Sequence, residues 1–484
     1  MPETIPETLC AGAKPALIDP DGPRTWSRDD LRAVTDRLAG QLAAAGVEPG
    51  TGVGIVLPHG PGAVVAFLAA ARAGAVALPL NPQLQPAEMR SAFEDCPPRL
   101  VIAQESDAAA AAAEALGCPL RALTADLELE DGGTHPAPPA PSPDAVALLL
   151  HTSGTTGRPK AVPLRQRNLV ASARSIARTY GLGPDDRSYC VMPLFHVHGL
   201  VASTLAALAG GGAVVVPARV RTSVVWEHAA EHGVTWLSAV PTILTRLPDR
   251  PAGGGGPLRF LRSCSSALAP AVWERLEARC GVPVVEAYGM TEAAHQMTSN
   301  RLPPGERRPG TVGVSAGAEV AIVDAAWRPL PVGEAGEVTV RGPGVVDGYL
   351  ANPEANAASF RDGWFRTGDI GRLDAAGCLV LEGRIKELIN RGGEKIAPRE
   401  IDEALLAFPG VRDAVAYGVA DAKYGEVVHA AVVGPDLDDG ALRAHLQDRL
   451  APFKVPRRIR VVAEIPKGPT GKVQRRLLAD LLET

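Results

Sequence analysis

Short apolar runs of strand length alternate with amphipathic segments of helical length through most of this chain. The apolar runs lie at residues 52–57, 75–80, 100–103, 145–150, 213–216 and 234–239. Residues 29–45 and 164–180 are the clearest amphipathic segments. Strands that alternate with helices form mostly parallel sheets whose faces the helices cover. We therefore expect an α/β layered architecture for the N-terminal part of the chain.

The pattern changes after about residue 310. Residues 320–323, 336–341 and 378–381 look like short strands separated by turns, and predict a small β-rich subdomain. From about Arg384 onward, helical segments (398–407, 440–450) mix with strand-like ones (414–419, 429–433, 458–462). With 484 residues the chain is long enough for two to four units. We expect a large N-terminal domain at residues 1–383 and a small α+β C-terminal domain at residues 384–484.

Composition limits the partners and the compartment. The formal net charge is -5 and 46% of the residues are hydrophobic, which is typical of a globular protein without a broad nucleic-acid surface. The seven cysteines are scattered and form no CxxC pair, so we expect reduced thiols, no zinc and a cytoplasmic location. The N-terminus lacks the basic start and apolar core of a secretory signal.

The most apolar stretch, residues 62–80, is interrupted by Arg72. A membrane-spanning helix needs about 20 apolar residues with few charges. This stretch instead predicts a buried helix at 65–72 that turns at Gly74 into a strand at 75–79, and no membrane partner.

A glycine- and threonine-rich loop follows the apolar run 145–150. Residues 151–160 are His-Thr-Ser-Gly-Thr-Thr-Gly-Arg-Pro-Lys. Gly154 and Gly157 let the backbone approach an anion closely, and Lys160 adds a positive charge. The hydroxyl groups come from Thr152, Ser153, Thr155 and Thr156. A polar turn without a ligand is the alternative, but this density of donors favours phosphate binding. The spacing differs from that of a Walker A loop.

Further motifs follow the loop along the chain. They are residues 288–292 (Tyr-Gly-Met-Thr-Glu), 364–369 (Trp-Phe-Arg-Thr-Gly-Asp), 383–386 (Gly-Arg-Ile-Lys) and 469–472 (Pro-Thr-Gly-Lys). With the loop, they resemble in sequence and order the adenylate-forming superfamily of acyl-CoA synthetases, peptide-synthetase adenylation domains and luciferases. Ala161 stands where that family usually has glycine. The resemblance implies ATP, Mg²⁺ and coenzyme A, a mobile C-terminal domain, and activation of a carboxylate as its adenylate.

The same resemblance implies roles for individual residues. Thr155 and Glu292 would hold the metal, and Lys472 would stabilise the charge that develops at the α-phosphate. The remaining nucleotide-binding residues would be Thr152, Ser153, Gly154, Thr156, Gly157, Lys160, Ser265, Ser266, Ala267, Glu286, Ala287, Tyr288, Gly289, Met290, Thr291, Asp369 and Arg384. Lys386 would be the hinge, and Arg391, Gly392 and Gly393 would line a tunnel for coenzyme A.

Within the superfamily, residues 193–200, 262–270, 286–300 and 385–396 resemble oxalate–CoA ligases, although Gly289 stands where those enzymes usually have alanine. His196, His198, Ser265 and His295 are the candidates for the acyl pocket, because a small dianion needs several hydrogen-bond donors. His196 and His198 flank Val197 and would point the same way in an extended segment. A small carboxylate such as oxalate is the expected substrate, and the protein a monomer or homodimer. Alternatives are another small or aryl acid, a carrier-protein acceptor, or a non-catalytic nucleotide sensor.

Overall fold

The α/β layered fold and the separate small C-terminal unit are confirmed. A computed structural model describes residues 3–104, 106–152, 159–251, 254, 256–467, 473 and 475–482, without the side chains of residues 476 and 477. The described strands in chain order are β1 (Pro15–Ile18), β2 (Thr25–Ser27), β3 (Gly52–Val56), β4 (Val76–Pro79), β5 (Pro98–Ala103), β6 (Leu120–Arg121), β7 (Val146–Thr152), β8 (Lys160–Arg165), β9 (Arg187–Cys190), β10 (Ala213–Val215), β11 (Trp236–Ala239), β12 (Phe260–Ser263), β13 (Val284–Met290), β14 (His295–Ser299), β15 (Val314–Ser315), β16 (Glu319–Val323), β17 (Gly336–Arg341), β18 (Phe360–Arg361), β19 (Trp364–Leu373), β20 (Leu379–Arg384), β21 (Ile389–Arg391), β22 (Glu394–Ile396), β23 (Asp413–Asp421), β24 (Gly425–Val433) and β25 (Arg458–Val461).

Helices connect most of the parallel strands. The α-helices are α1 (Ile5–Thr8), α2 (Arg28–Ala44), α3 (Pro61–Arg72), α4 (Pro86–Phe93), α5 (Asp107–Leu116), α6 (Gln166–Tyr180), α7 (Ala206–Ala209), α8 (Val225–Glu231), α9 (Pro241–Leu244), α10 (Pro270–Cys280), α11 (Pro353–Ser359), α12 (Pro398–Leu406), α13 (Asp439–Gln447) and α14 (Arg475–Leu482). Shorter turns are the π-helical His198–Leu205 and the 3-10 turns Thr222–Val224, Thr291–Ala293 and Ile385–Glu387. None of the helices among the described residues is long and apolar enough to cross a membrane.

Two large sheets form the N-terminal core. The nine-stranded sheet has the order β15-β14-β13-β12-β11-β9-β10-β1-β2 and is parallel from β1 to β13. The six-stranded sheet has the order β6-β5-β3-β4-β7-β8 and is parallel except for the β7–β8 pair. Helix α3 is buried along nearly all of its length and packs in the core shared by both sheets, which explains why it is apolar on every side. The predicted buried helix and the turn at Gly74, where φ is +71°, are confirmed.

Two smaller sheets follow. Strands β16 to β20 form an antiparallel sheet that shares the N-terminal core. Strands β21 to β25 form the last sheet, and α12 and α13 pack on it around a separate apolar core. The expected β-rich subdomain and α+β unit are therefore present.

Two local predictions differ from the structure. The amphipathic segment expected at residues 164–180 begins as strand β8, and helix α6 starts only at Gln166. Pairing with β7 takes the first residues of that segment, as the register Leu148↔Leu164 shows. The second difference lies in the segment after β9, which turns into a π-helix at His198 where an extended segment was expected.

Candidate functional site

The candidate residues lie where parallel strands end. Strands β9, β11, β12 and β13 of the large sheet run in the same direction, so the segments that follow them meet at one edge. Strand β7 ends at Thr152, where the phosphate loop begins, and β8 resumes at Lys160, directly opposite Thr152. Crevices outside the carboxyl ends of such strands are the usual ligand sites of α/β proteins.

A buried carboxylate at this edge joins three predicted residues. The phenol of Tyr288 donates a hydrogen bond to Asp369, and Arg384 Nε lies 3.0 Å from the other oxygen of that carboxylate. Asp369 and Arg384 are directly opposite each other in the β19–β20 pair. Burial and the charge of Asp369 raise the pKa of Tyr288, so its hydroxyl remains a donor. The arrangement offers a carboxylate and a guanidinium at the mouth of the site.

A second buried carboxylate lies on the 3-10 turn that follows β13. The phenol of Tyr349 donates a 2.9 Å hydrogen bond to Glu292, and the Lys160 ammonium lies 4.4 Å from the centre of the Tyr349 ring. Burial raises the pKa of Glu292, while this hydrogen bond and the charges of Arg384 and Lys160 oppose the rise. We call Glu292, Tyr349, Lys160, Tyr288, Asp369 and Arg384 the carboxylate cluster.

Glu286 is a third carboxylate, on β13 two residues before Tyr288. One oxygen accepts a 2.9 Å hydrogen bond from the backbone N–H of Leu268, and Oε2 has no hydrogen-bond partner among the described residues. Burial raises the pKa of Glu286 to about 7, against the opposing charge of Arg399 on α12. A buried polar atom without a partner is uncommon in folded proteins and marks a place where a ligand donor can bind.

The backbone around these carboxylates is tightly packed. Ser265 and Ser266 are partly exposed and Ala267 exposed, just beyond β12, whereas Ala287 is buried in β13 and Met290 partly buried. At Gly289 a Cβ atom would lie 1.7 Å from the carbonyl oxygen of His295, because β14 passes close by. An alanine at this position would require the two strands to move apart.

Three of the four acyl-pocket candidates lie in one hydrogen-bonded network. His198 Nδ1 is 3.0 Å from Ser265 Oγ, and His198 Nε2 is 2.7 Å from Ser238 Oγ. The His295 ring lies 4.9 Å from the His198 ring, centre to centre. His295 also has a φ of +119°, a strained value for a residue with a side chain. The network runs from the partly exposed Ser265 to fully buried groups.

The buried end of this network is Arg262, in the middle of β12. Its guanidinium donates to Tyr180 Oη (2.9 Å), Ser238 Oγ (2.9 Å) and Gln296 Oε1 (3.1 Å), and lies 3.4 Å from His295 Nδ1. Among the described residues no carboxylate pairs with it, although it is 0% exposed. Buried charges are normally paired, so an unpaired guanidinium favours an anionic ligand nearby. We call Arg262, His198, Ser238, Ser265 and His295 the arginine cluster.

The expectation that His196 and His198 share one face of an extended segment is wrong. Val197 has helical dihedral angles, and a π-helical turn starts at His198. The backbone N–H of His198 donates to His196 Nδ1 over 3.1 Å, so His196 caps this turn. Gly199 permits the turn, because a Cβ atom there would lie 2.3 Å from the Pro193 carbonyl oxygen. His196 is partly exposed and His198 is fully buried.

The C-terminal candidates lie on exposed turns. Lys386 is exposed on the 3-10 turn Ile385–Glu387, and its charge contributes to lowering the pKa of Lys160, whose main cause is burial. Gly392 and Gly393 join β21 to β22 with φ of +61° and +96°, values that a two-residue hairpin turn requires. The Arg391 guanidinium lies 4.5 Å from the centre of the Tyr424 ring.

Several predicted residues lie outside the described residues. They are Ser153, Gly154, Thr155, Thr156, Gly157 and Lys472. Their neighbours are described: Lys467 bridges to Val473 across residues 468–472, and Arg475 forms ion pairs with Asp402 and Glu387.

A cavity of about 480 Å³ lies beside residues 191–195, the segment that precedes His196. His59, Phe195 and Ile243 line one side, and Ile465 and Lys467 line the other. The cavity therefore lies between the segment that leads to His196 and the segment that leads to residue 468. It is wide enough for a slender chain-like ligand.

The residues present fit a Mg²⁺–nucleotide complex. Mg²⁺ is usually held by one or two carboxylates together with substrate phosphates. Glu292 is a buried carboxylate with Lys160 and Arg384 close enough to affect its pKa, so a metal and a polyphosphate would both find opposite charges. Within the described part of the chain, no group of three or more His, Cys, Asp or Glu side chains that could hold a metal ion occurs.

Arg262, Ser238 and Tyr349 were not among the residues that the motifs predicted. Arg262 could have been noticed, because a charged residue interrupts the otherwise apolar run of a buried parallel strand. Tyr349 follows a glycine in a turn-rich segment, and nothing local distinguishes it from a core aromatic residue.

Comparison with known proteins agrees with this geometry. Residues 10–350 match the model of the AMP-binding enzyme family, and residues 400–472 match its C-terminal domain. The chain is 43% identical to an oxalate–CoA ligase of Arabidopsis thaliana, over 93% of this chain and 92% of that protein. It is 42% identical to a sulfoacetate–CoA ligase of Cupriavidus necator, over 96% and 94% respectively. The structure of ATP-bound MatB from Rhodopseudomonas palustris superimposes with a TM-score of 0.91 at 31% identity, covering 99% of this chain and all of that one (100%).

Proposed function

The chain belongs to the AMP-binding enzymes and is an AMP-forming acid–CoA ligase, and we propose that the small carboxylate it activates is oxalate. Its substrates and cofactors are ATP, coenzyme A and Mg²⁺. In the first half-reaction the acid's carboxylate attacks the α-phosphorus of ATP and releases pyrophosphate. In the second the thiolate of coenzyme A attacks the acyl carbon and releases AMP.

The observation that carries this proposal is the buried guanidinium of Arg262. It has no carboxylate partner among the described residues, and Ser238 connects it to His198 and so to Ser265. We propose that the second carboxylate of the acid accepts hydrogen bonds from Ser265 and His295, and that Arg262 supplies the compensating charge from below. Coulombic attraction is strong at such a site because the surroundings exclude water.

The position of the arginine cluster favours a very short diacid. In oxalate the two carboxylates are directly bonded, so the groups that recognise one must lie beside those that activate the other. Ser265 adjoins Ser266 and Ala267. His295 lies three residues after Glu292 in the chain and pairs with Met290 in the β13–β14 ladder. Both recognition residues thus adjoin segments that we assign to the nucleotide.

For the nucleotide we propose the roles that the sequence implied. Asp369 accepts hydrogen bonds from the ribose hydroxyls, and Arg384, already paired with Asp369, donates to the ribose or its phosphate. Tyr288 and the backbone at Ser265–Ala267 flank the adenine, and the loop 152–157 with Lys160 binds the phosphates. Mg²⁺ held by Thr155 and Glu292 would neutralise phosphate charge.

We also propose the division into residues 1–383 and 384–484, with rotation at Lys386. Adenylyl and acyl transfer without a protein nucleophile depend on positioning and electrostatics. Lys472 would reach the α-phosphate in one pose of the C-terminal domain. In the other, Arg391, Gly392 and Gly393 would face the arm of coenzyme A. His196 would stand between the acyl pocket and that arm.

An acid screen tests the substrate. AMP release and thioester formation are measured with coenzyme A and oxalate, sulfoacetate, malonate, propionate and benzoate, and we expect oxalate to give the highest kcat/KM. Sulfoacetate is the second candidate, since a 42% identical relative acts on it and it also carries a second anionic group. A preference for propionate or benzoate would contradict the proposal. AMP release with oxalate but without thioester would favour a carrier-protein acceptor.

Separate half-reactions test the proposed role of Lys472. We expect Lys472→Ala to nearly abolish adenylate formation, because no other charge would replace it at the α-phosphate, yet to leave thioester formation from supplied oxalyl-AMP largely intact. Equal losses in both half-reactions would remove the assigned role.

A further inference from the structure

The segment at residues 342–350 connects the turn that carries Glu292 to the strand that follows the phosphate loop. The backbone N–H of Val346 donates to the carbonyl of Glu292, and that of Leu350 donates to the carbonyl of Ala161, each over 2.9 Å. Tyr349 lies between these two contacts. Its side chain reaches the Glu292 carboxylate through the hydroxyl and the Lys160 ammonium through the ring.

Tyr349 is itself held on both sides of its backbone. Its N–H donates to the side-chain oxygen of Asn356 over 2.7 Å, and its carbonyl accepts from the same amide over 2.9 Å. Phe360 and Phe365 contact its ring edge to face, with centroid distances of 5.6 and 6.5 Å. Gly348 allows this arrangement, because a Cβ atom there would lie 3.0 Å from the Asn356 side chain. The ring therefore has one position available.

Two charges of opposite sign share this fixed ring. The phenol of Tyr349 donates a 2.9 Å hydrogen bond to the buried carboxylate of Glu292. The ammonium of Lys160 is attracted to the ring face. Without Tyr349, a buried carboxylate would lose a donor and a lysine at the end of a strand would lose its stacking surface.

We propose that Tyr349 is a positioning residue for the metal–nucleotide site, holding Glu292 and Lys160 at the separation that a Mg²⁺-bound polyphosphate requires. The proposal rests on the roles proposed above for those two residues. Tyr349 does not touch the reacting atoms; it acts through the carboxylate and the ammonium.

Equilibrium binding of α,β-methylene-ATP, which cannot be cleaved at the α-phosphate, tests the proposal without any acid. Affinity is measured by calorimetry with and without Mg²⁺ for the full chain and for Tyr349→Phe. The wild-type protein should bind more tightly with Mg²⁺. In Tyr349→Phe the ratio of the affinity with Mg²⁺ to the affinity without it should fall about tenfold, which is the value of one hydrogen bond to a charged group. The affinity without Mg²⁺ should be unchanged.

Tyr189→Phe is the matched control. Tyr189 is buried and its phenol also makes a 2.9 Å side-chain hydrogen bond, to His228, in a part of the core away from the cluster. This variant should show the stability cost of losing a buried phenol hydroxyl and an unchanged Mg²⁺ response. An equal change in both variants would overturn the proposal.

A double-mutant cycle with Glu292→Gln separates positioning from general structural support. If Tyr349 acts through the carboxylate, Tyr349→Phe should have no further effect on the Mg²⁺ response once Glu292 is glutamine. Additive losses, or a wild-type Mg²⁺ response in Tyr349→Phe, would overturn the inference. Failure of the wild-type protein to respond to Mg²⁺ would instead contradict the proposed role of Glu292 itself.

Discussion

The carboxylate cluster and the arginine cluster lie at the same edge of the large sheet but differ in how their buried charges are matched. The first contains the carboxylates of Glu292 and Asp369 together with the cations of Lys160 and Arg384, and Glu286 lies two residues before Tyr288 on β13. The second has Arg262 as its buried charge, surrounded by hydroxyl, imidazole and amide groups. Charges of either sign are costly to bury, so each must be matched by something in the working enzyme.

The difference indicates what each ligand brings. A Mg²⁺–nucleotide complex brings a cation and hydrogen-bond donors to the carboxylates. A dianionic acid brings a second carboxylate to the arginine. The carboxylate cluster therefore offers charges of both signs to a metal and its polyphosphate, whereas the arginine cluster offers a positive charge to a second carboxylate.

The largest effect is expected from Arg262→Met, which removes the charge and keeps an unbranched side chain. Two unit charges about 6 Å apart at an effective dielectric constant of about 20 attract by about 3 kcal/mol, so kcat/KM for oxalate should fall about 100-fold. The affinity for ATP should stay within about twofold of wild type, because the carboxylate cluster is untouched. Steady-state kinetics with both substrates measures the two values.

Arg262→Lys and a monoanionic acid are the controls for that result. Lysine keeps the charge but offers one ammonium in place of the planar guanidinium, so its loss for oxalate should be smaller. Any activity with propionate should be spared or improved in Arg262→Met. Equal losses for propionate and oxalate would show that Arg262 supports the fold and does not recognise the second carboxylate.

On the carboxylate side, Glu286→Gln should change how stability depends on pH. In the folded protein the pKa of Glu286 is about 7, against an ordinary value of 4.5. As pH rises through this window the unfolded chain loses its proton first, so the folded state binds more protons and stability falls; below the window the penalty disappears. Between pH 5 and pH 8 the free energy of unfolding of the wild-type protein should therefore fall by on the order of 2 kcal/mol more than that of Glu286→Gln.

Urea unfolding of both proteins at pH 5 and pH 8 measures this difference. Glutamine keeps the acceptor for the Leu268 N–H and adds donors in place of the unpartnered oxygen. Arg399 and Glu403 are the charged groups that face Glu286 from α12 in both proteins, so the comparison isolates the carboxyl of Glu286. If the free energy of unfolding changed with pH to the same extent in both proteins, the buried charge of Glu286 would already be compensated by its surroundings.

The sequence predicted the fold and every member of the carboxylate cluster except Tyr349. In the arginine cluster it did not predict Arg262 and Ser238. The α/β order follows from periodicity, whereas Glu292, Asp369 and Arg384 were identified through the resemblance of their motifs to a known family, and the structure brings Asp369 and Arg384 into contact. The network around Arg262 depends on the lateral order of the strands, because Ser238, Arg262 and His295 lie on different strands. Periodicity gives no information about which strand lies beside which, and the π-helical turn at His198 is set by its packing against that sheet.

A smaller effect is expected from His295→Ala. Loss of one hydrogen bond to a charged ligand raises KM by about tenfold, so the KM for oxalate should rise by about that factor and the KM for ATP by less than twofold. His295→Gln, which keeps a donor, should recover part of the loss. No change in the use of oxalate would exclude His295 from the acid site and leave Arg262 to be explained without it.

Ser265→Ala should have the smallest effect and is the sharpest test of whether the two clusters are separate. Ser265 is assigned to both ligands: its backbone to the adenine side and its hydroxyl, which contacts His198, to the acid. Alanine retains the backbone at φ +71° and removes only the hydroxyl. The KM for oxalate should therefore rise by less than the tenfold expected for His295→Ala, because the Ser265 hydroxyl divides its hydrogen bonding between the acid and His198, and the KM for ATP should be unchanged. A rise in both values would mean that acid and nucleotide share one polar network, and that the two clusters do not divide the site between them.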